Sequence, residues 1–342
     1  MQRTSFVLGM IFMIASSCPA QALNAVIGSP PPYTPTPKTL ALAKEIADTD
    51  MDREKFEKSM APFEKMLAQS IVSKLAVNNP AITNDTDTAA KVTSIVHHIV
   101  SSVYGKVINT EIDAYAENFS SQQLMDMVTF IRGPGGQAER TNLPLLRADL
   151  SPLVTMDATD AAKMEDAADQ TFSNVPPSRR ELVLRIFKAQ DLEAHTRRAY
   201  TSFLTKLGEA MNKVDSNTTA RRPNSTAKAK TDAEATARYV DNYAREVMAV
   251  EKRFYANHYS DTDLMTIATY LESETGQLAI SRSPTIKRAA AQVTQAQLAS
   301  VLATLDEAVC SAVTCSSEQR AKLVDFTHSL GVSVPQFGNI AL

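Results

Sequence analysis

The chain has 342 residues, with 35 basic and 38 acidic side chains and a net charge of −3. This near balance excludes a general binder of nucleic acid or of anionic surfaces, which would need a strongly basic face. Glycine is scarce, tryptophan is absent, and alanine, leucine, lysine and glutamate are common, so the composition predicts an all-α fold.

The first 22 residues have the pattern of a secretory signal peptide. Arg3 supplies the positive charge, residues 6–14 form the apolar core, and Ala20-Gln21-Ala22 offers a small-x-small cleavage site. The apolar run is too short to span a membrane. We therefore expect a periplasmic or secreted protein that starts at Leu23 and has no transmembrane segment. A lipid anchor on Cys18 is the alternative, although the leucine usual three residues before such a cysteine is missing.

The next segment, residues 23–37, is rich in proline and predicts an extended tether. A short helix from Leu40 to Ala47 follows, and then a longer one capped by Asp50 or Asp52. One face of the longer helix carries Phe56, Met60, Phe63, Leu67, Ile71 and Leu75. A polar loop separates it from a long helix that carries apolar residues from Val92 to Ile112.

One stretch of the sequence occurs twice. Residues 115–146 and 255–286 align without a gap at an offset of 140, and the offset also holds upstream. The identical pairs are Tyr115/Tyr255, Ala116/Ala256, Ser120/Ser260, Leu124/Leu264, Met125/Met265, Thr129/Thr269, Gly136/Gly276, Gln137/Gln277 and Pro144/Pro284, and aromatic residues match at Phe119/Tyr259 and Phe130/Tyr270. This repetition predicts two tandem helical-bundle modules.

The predicted modules cover residues 38–150 and 178–290, which we call the first and second copies. A connecting helix lies within residues 151–177. Residues 291–342 contribute C-terminal helices and a tail, with one helix over 291–310 and another from Ser317 to Leu330.

Within each copy, the repeated stretch predicts two consecutive helices. Ser120 and Ser260 are N-caps of an amphipathic helix. A second helix begins at Gly133-Pro134 in the first copy and at Ser273-Glu274 in the second. A glycine in its first turn indicates close packing or an unusual backbone angle. Pro144 and Pro284 are predicted to end or kink it.

The repeated residues admit two interpretations. They could line a groove for a ligand or partner, or they could form a helix corner with an aromatic plug and a buried amide, which we favour. The candidate groove residues are Tyr115, Phe119, Gly136, Gln137 and Pro144 in the first copy, and Tyr255, Tyr259, Gly276, Gln277 and Pro284 in the second.

The pattern Y-A-x-x-[FY]-S, an amphipathic helix and a later Gly-Gln resembles the domain-of-unknown-function 2059 family of bacterial envelope proteins. That family usually shows Ser-Pro-x-Gly-Gln at the corner. Here residues 133–137 read GPGGQ and residues 273–277 read SETGQ. The resemblance implies an all-helical, exported module and brings no known activity or catalytic residue.

Two cysteines besides Cys18 are present, Cys310 and Cys315. In an exported chain they predict a disulfide, which requires a helix break between them. A redox-active pair is the alternative, but the spacing is not C-x-x-C.

Few residues suggest catalysis or metal binding. The adjacent His97 and His98 point about 100° apart on a helix, so no metal or cofactor site is predicted. Glu111 and Glu251 match across the copies one turn before the motif tyrosines, and we interpret them as solvated or salt-bridged.

Three functions follow from the sequence. The first is a non-enzymatic binding module that offers a groove to a peptide, an envelope protein or an apolar ligand. The second is an envelope hydrolase that uses Glu251, Tyr255 and His258. The third is a structural envelope component without a ligand.

Overall fold

The computed structural model describes residues 33–76, 82, 85–216 and 226–333, and these residues form helices joined by short connections, with no strand. The all-α prediction is confirmed. The predicted signal peptide, most of the tether and the end of the tail lie outside the described residues. By contacts the chain forms two compact units, which we describe separately.

Unit A consists of the described residues of 32–124 and 285–338. Its helices are α1 (Pro37–Asp50), α2 (Arg53–Leu75), α3 (Thr86–Ser101), α4 (Tyr104–Asn118), the start of α5 (Ser121–Arg132), the end of α12 (Glu274–Leu302), α13 (Leu305–Ala312) and α14 (Ser317–Ser333).

The core of unit A forms around the predicted stripe of α2. Asp52 caps α2 by accepting a hydrogen bond from the Lys55 amide. All six predicted apolar residues of α2 are buried, and they pack with residues of α3, α12, α13 and α14. This amphipathic face therefore organises the unit, as its sequence period predicts.

Unit B consists of residues 125–284. It contains the rest of α5, α6 (Pro134–Leu150), a 3₁₀ turn (Ser151–Val154), α7 (Ala158–Ser173), α8 (Pro177–Ala189), α9 (Leu192–Ser216), α10 (Thr226–His258), α11 (Asp261–Glu272) and the start of α12. Helix α10 packs on α6, α7, α8 and α9, and α11 packs on α6 and α8. The central core therefore forms where α8, α10 and α11 meet.

Three helix starts recur at the offset of the sequence repeat. Helices α1, α5 and α6 begin at residues 37, 121 and 134, and α8, α11 and α12 begin at 177, 261 and 274. The contact units do not coincide with the predicted modules, because residues 125–150 belong to unit B and residues 285–290 to unit A. The tandem arrangement stays a prediction.

Some predicted helix boundaries were wrong. Pro144 and Pro284 lie inside α6 and α12 and end neither helix, so α12 runs through the predicted boundary near residue 291. The alternative, a kink at these prolines, stays a prediction. The long first-copy helix is broken between Ser101 and Tyr104, where Val103 is buried. In each case packing around the segment outweighs the local preference.

The disulfide is present. Cys310 and Cys315 are bonded, with their Cα atoms 5.1 Å apart. The predicted break is confirmed, since α13 ends at Ala312 and α14 begins at Ser317.

Candidate functional site

The first complete helix in each repeated stretch, α5 or α11, begins with the predicted helix cap. The Ser120 amide donates to Gln123 Oε1 at 2.9 Å, and the Gln123 amide donates to Ser120 Oγ at 3.2 Å. Ser260 and Asp263 make the same reciprocal pair at 3.0 and 3.1 Å. Each pair satisfies two amides that a helix start leaves unpaired.

The repeated glycine allows the corner between the two helices to close. A Cβ on Gly136 would lie 2.7 Å from Ile131 Cα and would overlap the Phe130 carbonyl oxygen. A Cβ on Gly276 would lie 2.9 Å from Leu271 Cα. Neither glycine has a positive φ angle, so close backbone approach is the reason for glycine here.

The repeated glutamine caps the helix before the corner. Gln277 Nε2 donates to the Leu271 carbonyl oxygen at 2.6 Å and to the Ala189 carbonyl oxygen at 3.0 Å. Gln137 Nε2 reaches the equivalent Ile131 carbonyl oxygen at 3.5 Å. Since the last carbonyls of a helix have no partner within it, the Gly-Gln pair has a structural role.

The motif aromatics lie in the unit interiors. Tyr115 and Phe119 are 1% and 0% exposed in unit A, with ring centroids 5.8 Å apart. In unit B the Tyr255 and Tyr259 rings stack at 4.7 Å, and both are buried. These rings contribute to packing, and a ligand groove at these positions stays a prediction.

In unit A, the glutamate before the motif tyrosine is buried, so its interpretation as solvated was wrong. Glu111 is 3% exposed. Burial and, to a smaller extent, the charge of Asp50 raise its pKa to about 7, against the opposing effect of Lys287. Asp50 in turn bonds Lys287 at 3.2 Å and accepts a hydrogen bond from Tyr115 Oη at 3.4 Å.

In unit B, two glutamates share the surroundings of one tyrosine. Burial raises the pKa values of Glu139 on α6 and Glu251 on α10 to about 7. Burial also raises the pKa of the Tyr255 hydroxyl, with further contributions from both carboxylates and Tyr259. Among the described residues, Glu251 Oε2 has no hydrogen-bond partner. We call Glu139, Glu251, Tyr255 and Tyr259 the carboxyl–tyrosine cluster.

Sequence reasoning missed Glu139. Its equivalent in the second copy is Ala279, so the repeat gives no signal for it. It reaches Tyr255 because α6 packs on α10 and α11, which is a tertiary relationship. Nearby, Asn142 Nδ2 donates to the His258 carbonyl oxygen at 3.2 Å and further joins α6 to α10.

The residues of the hydrolase alternative have separate environments. The exposed His258 stacks on Phe254 at 4.0 Å, and its Nδ1 lies 3.1 Å from the Phe254 carbonyl oxygen. Tyr255 is buried against Phe187 and Tyr259. Among the described residues, no hydrogen bond joins His258 to Glu251 or Tyr255.

A run of three apolar residues on α6 is exposed. Leu143 and Leu145 are 45% and 49% exposed, and Pro144 between them is also exposed. We call these residues the Leu-Pro-Leu surface. Pro144 has no N–H group, so the Arg140 carbonyl lacks its usual helical donor. The sequence analysis named Pro144 as a candidate groove residue and as a residue that ends or kinks a helix, but it did not single out Leu143 and Leu145.

Residues 245–304 match the model of the family described as "Uncharacterized protein conserved in bacteria (DUF2059)". This segment is therefore of the DUF2059 type. The resemblance is confirmed there, and the match does not extend to residues 115–146. No curated protein and no solved structure shows a significant similarity to the chain.

The DUF2059 segment covers the end of α10 and all of α11 and α12, and thus includes the second Gly-Gln corner. Within the described residues, no helix combines the length and apolar character of a membrane span. Nor does any group of three histidine, cysteine, aspartate or glutamate residues there have the arrangement of a metal site.

Proposed function

We propose that this protein is an exported, non-enzymatic binding protein, and that the Leu-Pro-Leu surface of α6 contacts a polypeptide partner in the bacterial envelope. The observation that carries the proposal is the exposure of three consecutive apolar residues on a helix whose other face packs in a core. Such runs reduce solubility unless they serve an interaction.

The helix does not need leucines at these positions. The equivalent residues of α12 are Ser283, Pro284 and Thr285, so a related helix forms with polar residues on both sides of the proline. Leu143 and Leu145 therefore add apolar surface beyond what the fold requires, which supports a role in binding.

The charges around the surface indicate the chemistry of the partner. Arg140 and Arg147 are exposed and flank Leu143 and Pro144 along one helix face, at the spacing i, i+3, i+4 and i+7. Arg140 also donates from Nη2 to the Ile131 carbonyl oxygen at 3.2 Å. Asp149, the acidic residue that follows, is paired with Arg253 at 3.0 Å. A segment with apolar residues flanked by acidic side chains fits this arrangement.

The surroundings of His258 support binding over hydrolysis. A general base must reach the group from which it removes a proton. His258 Nδ1 instead contacts a carbonyl of its own helix, while Tyr255 is enclosed by aromatic rings. Glu251, Tyr255 and His258 are therefore better explained by packing.

Site-specific photo-crosslinking tests the proposal. A photoreactive amino acid replaces Leu145 in the full chain in the native envelope, and a matched chain carries it at Leu184, which is 48% exposed on α8. We expect a discrete crosslinked polypeptide from position 145 alone, and its loss when Leu143→Ser is added. Equal products from both positions, or persistence with Leu143→Ser, would refute the proposal.

A further inference from the structure

Two residues separated by the repeat offset stack directly on each other. The rings of Phe130 on α5 and Tyr270 on α11 have centroids 3.9 Å apart and planes inclined by 6°. Both residues belong to unit B. They occupy equivalent positions of the two copies, since 130 and 270 differ by 140. Equivalent residues meet in this way at the axis of a two-fold interface.

A second pair of contacts repeats with the copies exchanged. Thr275 Oγ1 donates to Asp126 Oδ2 at 3.1 Å. Gly135 packs on Thr266, so that a Cβ on this glycine would lie 3.1 Å from Thr266 Cγ2. Position 126 is equivalent to 266, and position 135 to 275. Both contacts therefore join the same two equivalent positions. In one contact the first copy supplies residue 126 and the second supplies 275, and in the other the second copy supplies 266 and the first supplies 135.

These reciprocal contacts define an isologous interface, in which the same surface is used on both sides. We infer that the chain is an internal pseudo-dimer, in which the α5–α6 corner of the first copy pairs with the α11–α12 corner of the second. The corner, residues 125–137 or 265–277, is thus a surface by which one DUF2059-type module recognises another.

The two off-axis contacts differ in a complementary way. Thr275 is long enough to reach the Asp126 carboxylate, while on the other side Gly135 leaves room for the Thr266 methyl group. A symmetric interface between identical modules would place the same pair at both sites. The divergence of the two copies fits surfaces that have adapted to each other within one chain.

An exchange variant of the full chain tests the inference. Asp126→Thr, Thr266→Asp, Gly135→Thr and Thr275→Gly together move the hydrogen-bonded pair to the opposite site. The half-exchange control has only Gly135→Thr and Thr275→Gly, which crowds Thr266 and Ile267 and leaves Asp126 without the Thr275 hydroxyl. Both chains contain the same glycine-to-threonine changes at equivalent helix positions, so helix propensity is matched between them.

Thermal unfolding followed by circular dichroism compares the variants. We expect the half exchange to lower the midpoint by several degrees, since a rise of about fivefold in the unfolding equilibrium constant lowers the midpoint by about 2–4 °C. The full exchange should recover part of the loss, because Ile267 beside position 135 is crowded in both chains. A full exchange that unfolds at or below the midpoint of the half exchange would overturn the inference.

A double-mutant cycle on the central pair gives an independent readout. Phe130 and Tyr270 are only partly buried, which favours folding of Phe130→Ala and Tyr270→Ala. We expect a coupling of about two- to tenfold in the unfolding equilibrium constant. The exposed equivalent pair Thr129→Ala and Thr269→Ala should be additive. Additive effects at Phe130 and Tyr270 would also reject the inference.

Discussion

Gln277 donates from Nε2 to the Leu271 carbonyl oxygen at 2.6 Å, and this bond closes the end of α11 at the corner with α12. The same amide group also reaches the Ala189 carbonyl at the end of α8. One exposed side chain thus satisfies the ends of two helices, of which α11 lies in the segment that matches the DUF2059 family and α8 lies outside it.

We expect Gln277→Ala to destabilise the protein by about 1–2 kcal/mol, because two backbone carbonyls lose their donor. Gln137→Ala is the matched comparison. Its bond to Ile131 is 3.5 Å long, and Arg140 Nη2 also donates to that carbonyl at 3.2 Å, so the loss should be below about 1 kcal/mol. Denaturant unfolding measures both values. Equal losses would show that the second-copy corner has no special role.

The corner glycine should not tolerate a side chain. We expect Gly276→Ala to cost about 3 kcal/mol or more, because its methyl group would overlap the Tyr270 carbonyl and the backbone would have to move. The thermal midpoint of the purified full chain reports this loss.

Gly105→Ala is the control for that substitution. A Cβ on Gly105 meets no atom within 4 Å, and the residue lies in the first turn of α4. Alanine should therefore raise stability by about 0.5–1 kcal/mol. If both alanine variants behave alike, close approach does not explain the glycine at position 276.

The carboxyl–tyrosine cluster should make stability fall as pH rises. The pKa of Glu251 is about 7 in the folded protein and near its ordinary value of 4.5 when unfolded. Between these values the folded state binds more protons, so the free energy of unfolding decreases with pH. We therefore compare the free energy of unfolding of Glu251→Gln with that of the unaltered chain. This difference should favour the variant by about 1–3 kcal/mol more at pH 8 than at pH 5.

Glu272→Gln provides the opposite case. The hydrogen bond from Arg185 lowers the pKa of Glu272, so its contribution is present above the unfolded pKa and is lost only in more acid solution. The effect of this substitution should be the same at pH 5 and pH 8. Unfolding midpoints at the two pH values separate the variants, and a pH-independent effect of Glu251→Gln would contradict the assignment.

Export predicts a defined mass for the mature protein. Cleavage after Ala22 would remove Cys18, and Cys310 and Cys315 would then be the two cysteines left, joined by the disulfide. Intact mass spectrometry of protein from the envelope should give a chain that starts at Leu23, two hydrogens lighter than its reduced form. Retention of residues 1–22, or a lipid on Cys18, would refute this maturation.

Removing the disulfide should have a modest effect. The loop that it closes is short, so Cys310→Ser with Cys315→Ser should cost about 2 kcal/mol on the chain-entropy model. Comparing the unfolding midpoint of the double variant with that of the oxidised chain measures the loss. An unchanged midpoint would mean that α13 and α14 do not depend on the bond.

The sequence predicted those features that depend on neighbouring residues. The α2 stripe, the caps at Ser120 and Ser260, and the helix break before Cys315 all follow from local spacing and capping chemistry. The glycine in the first turn indicated close packing. The cause is the close approach of the Phe130 carbonyl to Gly136 and of the Tyr270 carbonyl to Gly276.

Features that depend on distant segments could not be predicted from the sequence. Glu111 has the appearance of a solvated residue, and only the packing of α1 and α12 around α4 encloses it. Glu139 reaches Tyr255 from another helix, and nothing in its local sequence indicates this. Pro284 stays within α12 although its local preference is to end a helix.

Unit A is built from two segments separated by 160 residues, and this determines when it can fold. Residues 32–124 leave the ribosome well before residues 285–333, which supply the apolar side chains of α12, α13 and α14 to its core. Unit B, which is continuous, can close first. The amino-terminal helices must therefore wait for residues 285–333 before the core of unit A can form.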